Sequence, residues 1–436
     1  MNEYEEIQEA YKPQWAQGRF LNELAFCKDF LTLFPMICSD GQFFSEEGHI
    51  PEPKIKKMIF DYLSLYISTG LGKKVNALTE ALRMYCQRED LPPSETRIHC
   101  TNGYFNLMEN RFVEKMDYCR FRLPVAYNPQ APAPRRWLAF LTDLLEEEDI
   151  LTLQEFIGYC LLPVNYAQKM LLIIGRGGEG KSRIGIILQG LLGQAMVNGS
   201  LSKLENSSFS RADLQNRLLM VDDDLRLEGL KSTNYIKSII TAEQPLDLEK
   251  KGLQSYQGML YCRLMAFGNG NLRSVHDRSY GFFRRQIILT AKLRPRDRQD
   301  DPFLAQTIRK EELEGILLWA IEGLLRLLDN DLKFTLSTAA KRNLLAAIAE
   351  GNNIMDFMKS QGYIRYDALA AITSRNLYSA YQDWCQDNMF TPLNAKTFVT
   401  WLIQHADEYD LVYSTHINGG NGRHVRGFTG ITRCGF

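Results

Sequence analysis

The chain has 436 residues, a length that suits two to four domains. Its 45% apolar and 24% charged residues are the balance of an ordinary soluble protein, not of a disordered or fibrous one. A formal net charge of −1 excludes a global field that attracts nucleic acid, so any basic surface must be local.

Residues 1–95 read as a mainly helical N-terminal region. The leading "MNEYEEIQEAYKPQW" is acidic and polar, unlike a signal peptide. Apolar residues then recur at three- and four-residue spacing from Leu24 to Phe34, Ile55 to Ile67 and Val75 to Tyr85. Between the first two of these, Asp40-Gly41 and Glu47-Gly48 mark the turns of a hairpin or loop. Residues 96–125 alternate short apolar stretches with Asn-Gly and Glu-Asn, a pattern of small β-hairpins. "AYNPQAPAPRR" is a proline-rich connector, and helices are expected from Trp137 to Leu145 and from Leu151 to Leu162.

The next stretch, "LLIIGRGGEGKSRIGIILQGLLG", joins an apolar run to a helical one through glycines. Gly175-x4-Gly180-Lys181-Ser182 is a complete phosphate-loop pattern between an expected strand and an expected helix. Glycines let backbone N–H groups converge on phosphate oxygens, and the helix N-terminus adds positive charge. Lys181 reaches the β- and γ-phosphates and Ser182 holds Mg²⁺. Gly177, Gly178, Glu179 and Arg183 complete the cofactor-binding segment, so ATP and Mg²⁺ are the expected ligands.

Leu218–Val221 then reads as a buried strand ending in Asp222, Asp223 and Asp224. Such acids beside a phosphate loop hold Mg²⁺ and polarise the attacking water. Asp222 and Asp223 are the favoured pair, with their division of labour open. Leu264–Phe267 is a third short strand. Asn269, with Asn271 as rival, sits at its tip where an amide can orient water. Arg284 and Arg285 precede a further strand, Gln286–Leu289. An arginine there can stabilise charge on a transferring phosphoryl group, while an isolated Arg-Arg pair is more often a solvated surface. The nine cysteines form no C-x-x-C pair, which argues against zinc ribbons and suits a reducing cytoplasm. No apolar run reaches membrane-spanning length.

The order of glycine-rich loop, acid-tipped strand, Asn-tipped strand and "DRSYGFFRRQIIL" resembles superfamily 3 helicases, most closely the phage and plasmid primase–helicase branch related to the poxvirus primase–helicase. "TNGYFNL", "RLPVAYNPQAPAPRRWLAFL" and "TLQEFIGYCLLP" are similar to the domain that precedes the ATPase in that branch. "NLYSAYQDWCQDNMFTPLNAKTFVTWLIQ" and "NGRHVRGFTGI" are similar to its C-terminal winged-helix tail. The resemblance implies an α/β fold with an AAA+ type P-loop ATPase core. It divides the chain into a helical region (1–95), a pre-ATPase domain (96–165), the ATPase/helicase domain (166–345) and a winged-helix-like domain (346–436). It further implies a ring, usually a hexamer, with ATP between subunits and Arg284 or Arg285 given in trans. Lys250 and Lys251 would tip a channel hairpin on single-stranded or forked DNA. A solvated lysine pair on a turn is the plain alternative.

In the C-terminal segment, helices are expected at Asn353–Gln361, Ser374–Asn388 and Ala395–His405, followed by a hairpin; Gly419 to Arg426 would form the wing, with Arg423 and Arg426 as DNA contacts, and the nearly cancelling charges there suit protein docking as well. Relatives often carry a primase domain, but residues 1–95 offer no metal-ligand spacing. A separate primase or another replication protein is therefore an expected partner, no membrane is, and the expected location is the cytoplasm of a bacterial host. A non-replicative signalling or defence NTPase with a docking domain, and more weakly a small-molecule kinase, are the competing readings.

Overall fold

The computed structural model describes residues 12–17, 20–88, 91, 94–225, 230, 232–252, 254–270, 280–295, 301–351, 353–388, 390, 392–418 and 424–434. Two compact units divide it: residues 1–272 with 284–341, and residues 273–283 with 342–436.

The first unit begins with α1 (Glu23–Leu33), a small antiparallel sheet of β1 (Ile37–Ser39), β2 (Gln42–Ser45) and β3 (Gly48–Ile50), then α2 (Glu52–Ser64) and α3 (Leu71–Tyr85). The three helices lie at the expected places. The intervening stretch is fully paired, with turns at Asp40-Gly41 and before Gly48, where φ is positive. Aromatic side chains of Trp15, Phe26 and Phe30 fill the core under these elements. A second antiparallel sheet follows, of β4 (Arg97–Cys100), β5 (Gly103–Asn106) and β6 (Arg111–Val113). Helices α4 (Arg135–Leu144) and α5 (Glu147–Tyr159) then lead to β7 (Met170–Ile174).

From β7 the chain runs through α6 (Ser182–Leu192), β8 (Met196–Asn198), α7 (Leu201–Asn206), α8 (Ser208–Ala212), β9 (Leu219–Leu225) and α9 (Asn234–Thr241). A hairpin of β10 (Leu246–Leu248) and β11 (Tyr256–Gly258) precedes β12 (Arg263–Gly268) and β13 (Gln286–Thr290). Five of these strands form one parallel sheet in the order β13-β7-β12-β9-β8. All six residues of β12 and the first four of β7 are buried. This is why they read as continuous apolar runs and not as alternation: helices cover both faces of a parallel sheet.

The unit closes with α10 (Leu304–Glu311) and α11 (Leu313–Asp329), which packs on α5. Glycines set that approach: a Cβ on Gly158 would lie 2.3 Å from the Ala320 carbonyl oxygen, and one on Gly323 2.6 Å from the Gln154 backbone. Gly158→Ala should therefore overpack the seam and lower the unfolding free energy, measured by denaturant titration, by about 1–3 kcal/mol. Gly72→Ala on α3, where a Cβ meets nothing within 4 Å, should not lower it.

Helix α12 (Thr338–Gly351) crosses the division between the units. The second unit contains α13 (Ile354–Met358), β14 (Ile364–Thr373), α14 (Ser374–Asp387), α15 (Ala395–Gln404), β15 (Val412–Asn418) and β16 (His424–Arg433). Its three strands form an antiparallel sheet in the order β14-β16-β15 around a core of Phe357, Tyr381, Phe398 and Phe428. The sequence reading expected α13, α14 and α15 but not the ten-residue β14.

Candidate nucleotide site

Strand order places the site. From β7 the chain crosses to β8 at one edge of the sheet, whereas from β12 it crosses to β13 at the other. The carboxyl ends of β7 and β12 therefore flank a crevice, the usual ligand position in open α/β sheets. The loop Gly175–Lys181 and Asn269 both lie there. The Gly175 N–H donates to the Gly268 carbonyl at 3.0 Å, fastening the two strand ends. A Cβ on Gly177 would come within 3.8 Å of the Asn269 amide.

Gly177, Gly178 and Gly180 have φ of 106°, 81° and 103°. Only glycine takes these values cheaply, so the turn needs all three. The loop is wound about one of its own side chains. Glu179 is 3% exposed, and its carboxylate accepts from the Arg176 N–H and, at 2.9 and 3.0 Å, from the Gly177 N–H. Lys181, 7% exposed, donates to the same carboxylate at 2.7 Å. Burial raises the Glu179 pKa. The Lys181 hydrogen bond and the backbone N–H groups outweigh that and hold it below the ordinary glutamate value. Its stabilising contribution is thus complete above the ordinary glutamate pKa and is lost only as pH falls through the lower folded value.

An anion already occupies the donors that a phosphate would use. Glu179→Gln should then have two opposite effects. Loss of a buried counter-ion to Lys181 lowers the melting temperature of the ligand-free protein. If the loop takes a nucleotide, loss of a competing anion tightens Mg-ADP binding about tenfold, equivalent to about 1.4 kcal/mol. Calorimetric titration with a thermal melt checks both; a fall in affinity alongside the fall in melting temperature would mean that Glu179 supports the site.

Ser182 is exposed at the first position of α6, and the Nη2 of the half-buried Arg183 donates to the Asp301 carbonyl at 2.9 Å. The three acids separate. Asp222 is 5% exposed; its Oδ2 accepts from the Leu201 N–H at 2.7 Å and its Oδ1 from the Asp224 N–H at 3.3 Å. Burial, ahead of the neighbouring acids, raises its pKa against the lowering effect of those N–H groups. Asp223 and Asp224 are exposed, at a register shift in which Asp222 pairs with Ala266 but Leu225 with Gly268. Such bulges re-aim side chains next to functional sites. Among the described residues no three His, Cys, Asp or Glu side chains form a metal cluster. The donor set of one hydroxyl and one or two acids fits Mg²⁺, which keeps waters and takes its other ligands from phosphate.

Arg284 and Arg285 stand before β13, at the opposite end of the sheet. The Arg284 carbonyl accepts from Lys169, and the Arg285 carbonyl from the Met170 N–H at 2.8 Å. The five-residue β7 runs from Met170 to the loop, about 16 Å at strand rise. These arginines do not meet the phosphate loop of their own chain. Arg294, which the sequence reading missed, does: its Nη1 lies 3.5 Å from the Gly178 carbonyl oxygen. Its signal was positional. Thr290 pairs with Ile174, so the residues after β13 emerge beside Gly175.

Lys250 and Lys251 lie at the end of the β10–β11 hairpin. Lys251 is exposed, while Lys250 lies over the Tyr256 ring and donates to Gln215 Oε1 at 2.8 Å. Arg426 is exposed on β16; Asn271 and Arg423, with residues 419–422 of the expected wing, lie outside the described residues. Among the described residues no helix is long and apolar enough to cross a membrane.

Residues 173–285 match a family of unknown function, DUF5906, and residues 55–146 match the family described as D5 N terminal like. The first segment holds Lys181, the three acids, the hairpin lysines, Asn269 and the Arg284-Arg285 pair. No curated protein matches the chain. Two solved structures of the NrS-1 C-terminal region are similar in fold. An A-form apo structure of that region has a TM-score of 0.54 at 11% identity, covering 92% of this chain and 98% of that one. An A-form apo structure of its residues 305–718 has a TM-score of 0.50 at 12% identity, covering 90% and 88%. Identity this low speaks for shared fold alone.

Proposed function

We propose that this chain is an ATP-driven DNA translocase or helicase of the superfamily 3 type, acting in the replication of a phage, plasmid or other mobile element in its host's cytoplasm. The observation that carries the reading is the convergence of a three-glycine loop, Lys181 and Asn269 on one crevice of a parallel sheet. The D5 N terminal like match supports it, because it overlaps the segment that carries the upstream resemblance. The sheet order, with the loop strand between β13 and β12, supports an AAA+ type core. Helices α13, α14 and α15 with the three-stranded sheet of the second unit support a winged-helix-like domain.

In this reading the loop N–H groups and Lys181 hold the triphosphate, and Asn269 orients water. Ser182 with Asp223 would hold the Mg²⁺ that enters with the nucleotide, which supplies charge neutralisation at the phosphates. Arg284 or Arg285 serves the loop of a neighbouring subunit, which the strand-length separation within one chain supports. That arrangement calls for head-to-tail contacts closing into a ring, hexameric in this reading. Arg294 acts on its own chain's loop. Lys250 and Lys251, and Arg423 and Arg426, contact DNA.

The test is ATPase activity with and without forked DNA, alongside electron microscopy. DNA-stimulated hydrolysis by rings supports the reading; hydrolysis indifferent to DNA supports a signalling or defence NTPase instead. Lys250→Ala with Lys251→Ala should make the salt dependence of DNA binding shallower by about 0.7 per lost contact and uncouple hydrolysis from DNA. Wild-type unwinding by that double variant would end the hairpin assignment.

A further inference from the structure

A second cavity, of about 390 Å³, lies within the first unit and away from the crevice. The β3 hairpin, the start of α2, residues 120–124 and the residues just before β8 and β9 line it. It therefore adjoins the N-terminal ends of the parallel strands, a strand length from the nucleotide loop. Four of its lining residues are cationic, Lys54, Arg120, Arg122 and Arg217, against one acid, Glu47.

Their partners differ. Arg120 is paired with Asp40. Arg122 is 4% exposed, donates to the carbonyls of Cys100 and Asp117, and lies 3.6 Å from the Asp117 carboxylate. Arg217 donates to the Gln194 carbonyl, and neither it nor the exposed Lys54 has an ion-pair partner among the described residues. The Nε atoms of Arg122 and Arg217 are both buried without a hydrogen-bond partner. Those two atoms are closed to a ligand, but a guanidinium on a cavity wall takes an oxyanion readily through its other N–H groups. Gly48, at φ 103°, lets the hairpin close on this wall: a Cβ there would stand 3.4 Å from the Arg122 Cβ.

The electrostatics agree. His49 lines the cavity, and its pKa falls to about 4, first through burial and then through the charges of Arg217, Lys250 and Arg120. Lys250 extends the basic surface outward, since it donates to Gln215, beside Asn216 and Arg217.

We propose that this cavity is a phosphate seat, with Arg217 and Lys54 as its binding residues and a backbone phosphate of single-stranded DNA as its occupant. The phosphate chemistry stands on the cavity alone; the DNA source rests on the reading given above, because the seat continues into the hairpin lysines.

The experiment uses the full chain. Binding of a labelled oligo-dT is followed by anisotropy across a salt series for the wild type, Arg217→Gln and Lys54→Gln. Phosphorus NMR follows inorganic phosphate in parallel, and melting temperatures verify folding. Each variant should bind oligo-dT several-fold more weakly and flatten its salt slope by about 0.7. Loss of inorganic phosphate binding with oligo-dT unchanged would keep the seat and overturn the DNA source. If the wild type binds no oligo-dT, the DNA reading fails while the phosphate arm still decides the seat. Variants that melt at the wild-type temperature and alter neither ligand overturn the proposal, and the exposed Lys54 keeps that outcome reachable should Arg217→Gln unfold.

Discussion

Lys181→Ala abolishes ATP hydrolysis on the proposed reading. The lysine donates to the Glu179 carboxylate at 2.7 Å, where on this reading a phosphate would sit. It neutralises charge that shifts during phosphoryl transfer, a contribution on the order of several kcal/mol to the barrier. The structural cost is separate and smaller. Removing one member of a buried pair leaves Glu179 with the Arg176 and Gly177 N–H groups, so the carboxylate keeps donors. A variant that is folded by circular dichroism but inert in a phosphate-release assay is the expected result. Wild-type turnover would falsify the phosphate-loop reading altogether.

The paired acids give the second large effect, because burial divides them. Asp223→Asn changes an exposed side chain, so melting should hardly move while turnover stops; nucleotide still binds, since the loop is intact. Asp222→Asn acts on a buried group that accepts two N–H bonds. The amide can keep only one of them and turns a donor toward the other, a cost of about 1–3 kcal/mol. Its signature is a lower melting temperature. Should Asp222→Asn melt normally and lose turnover while Asp223→Asn stays active, the chemical role belongs to Asp222.

The glycine loop was legible because its signals are local. Three glycines at positive φ, a lysine and an apolar run on each side are written within 23 consecutive residues. The five-stranded sheet was partly legible for the same reason: β7, β9, β12 and β13 each carry a short buried apolar run, Met170–Ile173, Leu219–Val221, Leu264–Phe267 and Ile287–Leu289, as burial on both faces requires. The three-residue β8 carries too short a run to announce itself. What stayed hidden depends on which strands become neighbours. Arg284 and Arg285 read as serving a neighbouring subunit's site, and only the parallel pairing of β13 with β7 shows that they stand a strand length from their own loop. The same pairing brings Arg294 to the loop, from a stretch with no motif. Asp222 looked equivalent to Asp223 until α7 supplied the Leu201 N–H. In the second unit β14 escaped notice because it is alanine-rich and its pairing shifts register between Asp367 and Ala371.

The seating of Glu179 has a kinetic consequence. A carboxylate tethered two residues from Lys181 is a ligand that never diffuses away, and its local concentration is fixed by the chain. On the proposed reading it returns whenever the seat empties, and ATP and ADP must both displace it. Such a uniform penalty weakens the hold on substrate and product alike and leaves the barrier from bound substrate unchanged. The loop would then trade retention for exchange: a higher working concentration of ATP in return for faster departure of ADP. In a motor whose cycle waits on product release, that trade sets the stepping rate.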